Sequence, residues 1–177
     1  MTRPMISALA LASALLVAAP AAAQLAPPPP PPEASRVAVP YLDTAGMSDV
    51  YEITSSEIAL KRSQNPALRD YASMLIRHHT ETTNGALAAA KAAGVTPPAP
   101  ILNAPFRALI AELNTVPAAD FDRVYIGQQI PAHEGALKLN TEYAAGGDTP
   151  QLQRAAATAA PIVQRHLDMA RQMQGGM

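Results

Sequence analysis

Residues 65–94, NPALRDYASMLIRHHTETTNGALAAAKAAG, are the stretch from which the fold follows. Asn65 supplies a side-chain acceptor for a first-turn amide. Pro66 behind it lacks an N–H and has its φ already near the helical value, so the pair predicts a helix start. Leu68, Ala72, Leu75, His79 and Ala86 then hold one face at three- and four-residue spacing until Gly94 stops the helix. The same grammar returns at Thr149-Pro150, with Leu152, Ala156, Ala159, Val163, His166 and Ala170 on one face and Gly175-Gly176 closing it. Upstream, Val50, Ile53, Glu57 and Leu60 predict a first helix over 44–63. Downstream, Ile126, Ile130, His133 and Leu137 predict a third over 118–145, ended by Gly146-Gly147 in the left-handed cap that glycine accepts. Pro97, Pro98 and Pro100 lead into a short amphipathic helix over 105–113, carrying Phe106, Leu109, Ile110 and Leu113. Pro131 and Pro161 each remove one helical hydrogen bond and predict kinks. No alternating β-branched run argues for strands. The expectation is an all-α four-helix bundle with an extra short helix in the long connection between the second and third long helices. Tight turns pair the helices as two antiparallel hairpins, and the long link permits either an up-down or a ferritin-like crossover topology.

Composition narrows the chemistry. Among 177 residues there is no Cys, which excludes disulfides, thiolate metal sites and thiol catalysis. With 13 Lys+Arg against 14 Asp+Glu, no basic surplus exists to hold nucleic acid. Aromatic residues make up 4%, so the core must be aliphatic and rich in Ala. Residues 1–23 read as a secretory signal: Arg3, an apolar run over 5–19, and Ala21-Ala22-Ala23 as the cleavage site. The run is shorter than the ~18–20 residues of a membrane span. Residues 24–40, with the prolines Pro27–Pro32, read as a disordered spacer, and 41–174 as the bundle domain. The expected location is the periplasm, or association with the outer membrane, of a Gram-negative bacterium, with no transmembrane segment in the mature chain.

Several segments of the domain match a known pattern. Tyr41-Leu42-Asp43-Thr44-Ala45-Gly46-Met47-Ser48-Asp49-Val50-Tyr51-Glu52-Ile53 resembles the opening of an exported bacterial family, domain of unknown function 4142. So do Asn65-Pro66-Ala67-Leu68-Arg69, Arg77-His78-His79-Thr80, Phe121-Asp122-Arg123-Val124-Tyr125, Ala132-His133-Glu134 and Pro161-Ile162-Val163-Gln164-Arg165-His166-Leu167. The resemblance implies a ferritin-like four-helix bundle behind a signal peptide, and no mechanism. The family pattern carries Asp where this chain has His78.

One ionisable residue falls on each predicted apolar stripe: Glu57, His79, His133 and His166. A carboxylate and three neutral imidazoles suit a divalent transition metal. Counted from helix ends, however, Glu57 is offset from His79, and His166 from His133, by more than a turn. The sequence therefore favours a structural hydrogen-bond network over a metal site, which stands as the alternative. Ferritin-type di-iron chemistry needs several carboxylates and Glu-x-x-His pairs, and the chain contains no Glu-x-x-His. No nucleophile elbow or phosphate-cradling loop occurs either. The functional expectation is a non-enzymatic binding or stress- and envelope-associated module of unidentified partner, or else a periplasmic metal-binding protein.

Overall fold

The computed structural model describes residues 25–177. The expected signal segment, 1–23, lies outside the described residues. Five helices follow in order: α1 Ala38–Arg62, α2 Pro66–Ala92, α3 Ala104–Thr115, α4 Phe121–Gly146 and α5 Pro150–Gly175. No strand occurs among the described residues. The four long helices form the bundle, and α3 is the short helix of the long connection. Pro131 and Pro161 sit inside α4 and α5, which continue as helices through them.

The predicted start at Asn65-Pro66 holds for a local reason, whereas Thr149 precedes Pro150 without a side-chain cap. The Asn65 side chain accepts a hydrogen bond from the Ala67 amide at 3.0 Å. Its replacement by alanine leaves that amide without a protein partner, and Asn65→Ala should cost about 1 kcal/mol in urea unfolding. Gly94 ends α2 at φ 70°, where a Cβ would be strained. The α4 end differs from expectation. Gly147 has φ −66°, so no left-handed cap is needed there. Its glycine is required by space instead, because a Cβ would stand 2.5 Å from the Tyr143 ring.

Neighbour relations settle the topology. α1 packs on α2 and α4, and α5 packs on α2 and α4, so α2 and α4 lie diagonally opposite. Tyr41 on α1 donates to Asn140 on α4, while Ser56 and Tyr125 share a hydrogen bond nearer the other end. The two pairs run in opposite chain directions, so α1 and α4 are antiparallel. α2 and α4 are therefore parallel, and the connection over 93–120 must travel the length of the bundle. This is the ferritin-like crossover. α3 lies against α1 and α4 on the flank, with Phe106 tilted against Tyr51 at 4.9 Å. The Arg62 guanidinium donates to the Leu113 and Val116 carbonyls at the end of α3 and lies over the Phe121 ring.

The spacer expected over 24–40 is corrected by the structure from Pro32 onward. Pro32–Ser35 forms a 3-10 turn, and α1 begins at Ala38, well ahead of the predicted Thr44. Ala34 is fully buried with Tyr41, Leu139, Tyr143 and Leu152. Ser35 donates to Glu142, and the Asp148 amide donates to the Arg36 carbonyl. Proline-rich composition does not reveal this docking, because it depends on contacts with distant residues, such as Pro30 beside Gly135 and Ser35 on Glu142.

Three apolar clusters fill the core. Two lie along the bundle, one gathering Leu68, Tyr71, Leu75, Phe121, Tyr125 and Ile126, the other Tyr41, Leu42, Ala90, Leu139, Tyr143 and Leu152. The third, Tyr51, Phe106, Leu109 and Ala132, seats α3. Along α2, α4 and α5 the chain passes from the first cluster to the second through a polar layer at mid-height, and that layer holds the histidines.

Candidate metal centre

The hairpin geometry sets who meets whom. Asp49 precedes the α1 end at Arg62 by the same interval of sequence that separates His79 from the α2 start at Pro66. Both are therefore about 20 Å from the α1–α2 turn and face one another. His133 precedes the α4 end at Gly146 by that interval too, and His166 lies slightly further beyond the α5 start at Pro150. Their heights differ by about 4.5 Å, less than one turn. The expected offset of His166 from His133 is thus corrected: counting each back to the shared α4–α5 turn brings them within one turn of each other.

The three imidazoles converge. Ring centroids of His79 and His133 are 5.7 Å apart, those of His79 and His166 5.3 Å, and those of His133 and His166 5.3 Å. One nitrogen from each ring lies within 4.8 Å of the other two. His133 and His166 are fully buried and His79 is 3% exposed.

Glu57 does not join them. It is exposed, whereas Glu52, on the preceding turn and about 140° around the helix, is buried at 1% exposure. A Glu52 carboxylate oxygen lies 3.8 Å from His133 Nδ1. The predicted stripe on α1 is misplaced because the buried face is made of Tyr51, Glu52, Ser55, Ser56 and Ala59. Glu52, Ser55 and Ser56 are polar, so hydropathy reads the face as surface.

Each ring is held from behind. His79 Nδ1–H donates to Asp49 at 2.8 Å, and Asp49 in turn accepts from Thr83. His133 Nδ1–H donates to the Gln129 carbonyl at 2.8 Å. His166 Nε2 shares a hydrogen bond with His78 Nδ1 at 2.9 Å, and these two rings stack with centroids 5.1 Å apart. The opposite nitrogens, His79 Nε2, His133 Nε2 and His166 Nδ1, have no hydrogen-bond partner, and neither does Glu52 Oε2. A carboxylate and a backbone carbonyl can only accept. In the neutral rings, the inward nitrogens of His79 and His133 therefore carry lone pairs. Buried acceptors left without donors are costly, and groups of them mark sites built for something else.

Electrostatics agree with this arrangement. Burial, reinforced by the His79 charge, pushes His133 down to about 3. Burial, with the nearby His133 and His79 charges, pushes His166 down to about 2. Both rings are neutral at pH 7 and need lose no proton to bind a cation. Burial opposes charge on His79, but the hydrogen bond and charge of Asp49, with Glu52, outweigh it and raise its pKa. Burial pushes Glu52 up to about 8.

Most surrounding polar groups are satisfied by one another, Gln129 Oε1 being without a partner. Gln128 accepts from Tyr51 and donates to Glu112, and Gln129 donates to Ser55. Tyr71 donates to the His166 carbonyl. A cavity of about 30 Å³ touches His79 and Asp49, room for a water and no substrate. Glu52 is the one buried carboxylate among the described residues, so the donor set does not suit a carboxylate-rich di-iron centre. Reading the sequence alone missed Asp49, Glu52 and His78. Equal spacing from the α1–α2 turn is the signal that finds Asp49.

The profile of the family described as "Domain of unknown function (DUF4142)" matches residues 22–173. The fold is similar to that in the "Crystal structure of DUF305 fragment from Deinococcus radiodurans", with a TM-score of 0.70 at 20% identity, covering 85% of this chain and 100% of that one. No curated protein matches the chain. No helix among the described residues is long and apolar enough to cross a membrane.

Proposed function

The chain belongs to the domain of unknown function 4142 family, and we propose that within it this protein is an exported helical bundle that holds one divalent transition-metal ion in its core. The reading is carried by one observation. Three buried imidazoles each leave one nitrogen without a partner while the other is hydrogen-bonded, and one nitrogen of each ring lies within 4.8 Å of the other two. Metal-binding histidines have this arrangement, with the outer nitrogen donating to a carboxylate or carbonyl that fixes the ring. A purely structural network would require donors for the inward nitrogens, and that counts against it.

His79, His133 and His166 are the proposed ligands, and buried Glu52 is the counter-charge beside them. Tetrahedral coordination at ~2.0–2.1 Å places ligand nitrogens about 3.4 Å apart, so small side-chain rotations close the present spacing. Imidazole donors suit zinc, copper, iron and manganese. Full burial with no room for a substrate favours holding the ion over catalysis at it. Export rests on Arg3, the apolar run and the Ala21-Ala22-Ala23 site at the start of the chain.

The test is elemental analysis of untagged protein from its native compartment, followed by chelation. We expect close to one transition-metal ion per chain. Stripping it should lower Tm by about 5–10 °C, the shift that about 2.7 kcal/mol of ligand stabilisation gives a domain of this size. A stoichiometry below about 0.1, with Tm unmoved by either chelator or added metal, would overturn the proposal.

A further inference from the structure

His78 stands outside the ligand set but touches it. It directly precedes His79 on α2, is partly exposed, and meets the outer nitrogen of His166. The three outer hydrogen bonds are not equivalent. His133 faces a carbonyl and His79 a carboxylate, partners that only accept and therefore fix the ring's proton on the outer nitrogen. His166 faces another imidazole, which accepts or donates according to its own tautomer. If His78 Nδ1 accepts, His166 carries its proton on Nε2 and presents a lone pair from Nδ1 to the centre. If His78 Nδ1–H donates, the proton of neutral His166 sits on Nδ1 and blocks the third ligand position.

Resting on the metal-centre reading, we propose that His78 is the positioning residue of the site: by accepting from His166 Nε2–H it sets the tautomer that makes His166 a ligand. His166 is the one ligand of the three whose availability is adjustable, and the adjustment reaches the solvent-facing side of α2 through His78. His78 binds no metal itself in this account. Its contribution is a hydrogen bond of defined direction.

Two substitutions separate that role from packing. Oδ1 of aspartate is bonded to Cγ as Nδ1 of histidine is, so His78→Asp places an acceptor at nearly the same point and offers no donor. His78→Phe keeps an aromatic ring over His166 and offers no acceptor. Zinc affinity is measured by competition with a chelator on the full chain. His166 tautomers are read in metal-free protein from imidazole ¹⁵N shifts. Wild type should bind zinc, His78→Phe should bind about tenfold or more weakly, and His78→Asp should bind more tightly than wild type, within the roughly 10–100-fold range of outer-shell effects. His166 should be Nε2-protonated in His78→Asp and shift toward Nδ1-protonation in His78→Phe. Affinities within twofold across the three proteins, or a His166 tautomer that does not follow residue 78, overturn the role of His78. Absence of zinc binding in wild type overturns the metal centre, and with it the positioning role.

Discussion

His133→Ala will abolish metal binding, weakening zinc affinity by more than about 100-fold while the helices stay formed. Loss of an outer-shell partner alone costs roughly 10–100-fold, and this change removes a direct ligand. His133 is fully buried, its proton is fixed on Nδ1 by the Gln129 carbonyl, and its Nε2 has no other partner. With two imidazoles left, zinc loses a nitrogen donor that nothing nearby replaces. Circular dichroism on the same sample keeps a folding defect from being mistaken for ligand loss. Retention of wild-type affinity by folded His133→Ala would remove this residue from the site. The exposed Glu57 is the control: Glu57→Ala should leave zinc binding unchanged.

Glu52→Gln will do two opposite things, stabilising the metal-free protein at pH 8 and weakening its hold on metal. Burial raises Glu52 to about 8, against about 4.5 in the unfolded chain. Between those values the folded protein keeps a proton that the unfolded chain has released. Stability therefore falls as pH rises through that window and levels off above it. Glutamine mimics the protonated acid and removes that slope. By pH 8 the variant should be more stable than wild type by up to about 4 kcal/mol in urea unfolding of stripped protein. Its zinc affinity should drop, because the bound cation loses its buried counter-charge. Parallel stability–pH profiles for the two proteins would show that Glu52 does not carry the buried proton.

The residues that were legible in the sequence were those whose burial coincides with hydropathy. On α5, Leu152, Ala156, Ala159, Val163 and Ala170 are buried as the 3.6-residue spacing predicts, and His166 follows because it shares their face. On α1 the rule fails. Val50, Ile53 and Leu60 sit half-buried at the margins, while Glu52, Ser55 and Ser56 occupy the core, the two serines bonded there to Gln129 and Tyr125 of α4. A polar face buried against another polar face leaves no hydrophobic signature. The crossover was equally hidden, since a link as long as 93–120 reaches either end of the bundle. Only the side-chain pairs of α1 with α4 fix its course. The histidines are found from the stripes, but the convergence of His166 with His133 is not, because the two heights agree to within a turn only when both are measured from the shared α4–α5 turn. The docking of Ala34 and Ser35 depends on tertiary contacts with α4, which local composition does not encode.

The most direct test of the tris-imidazole centre is X-ray absorption at the metal edge of untagged, zinc-loaded protein. A first shell with about three nitrogens at ~2.0–2.1 Å, accompanied by the multiple scattering of imidazole rings, is the predicted result. A shell of oxygen donors without imidazole scattering would place the metal elsewhere on the protein and contradict the assignment of His79, His133 and His166.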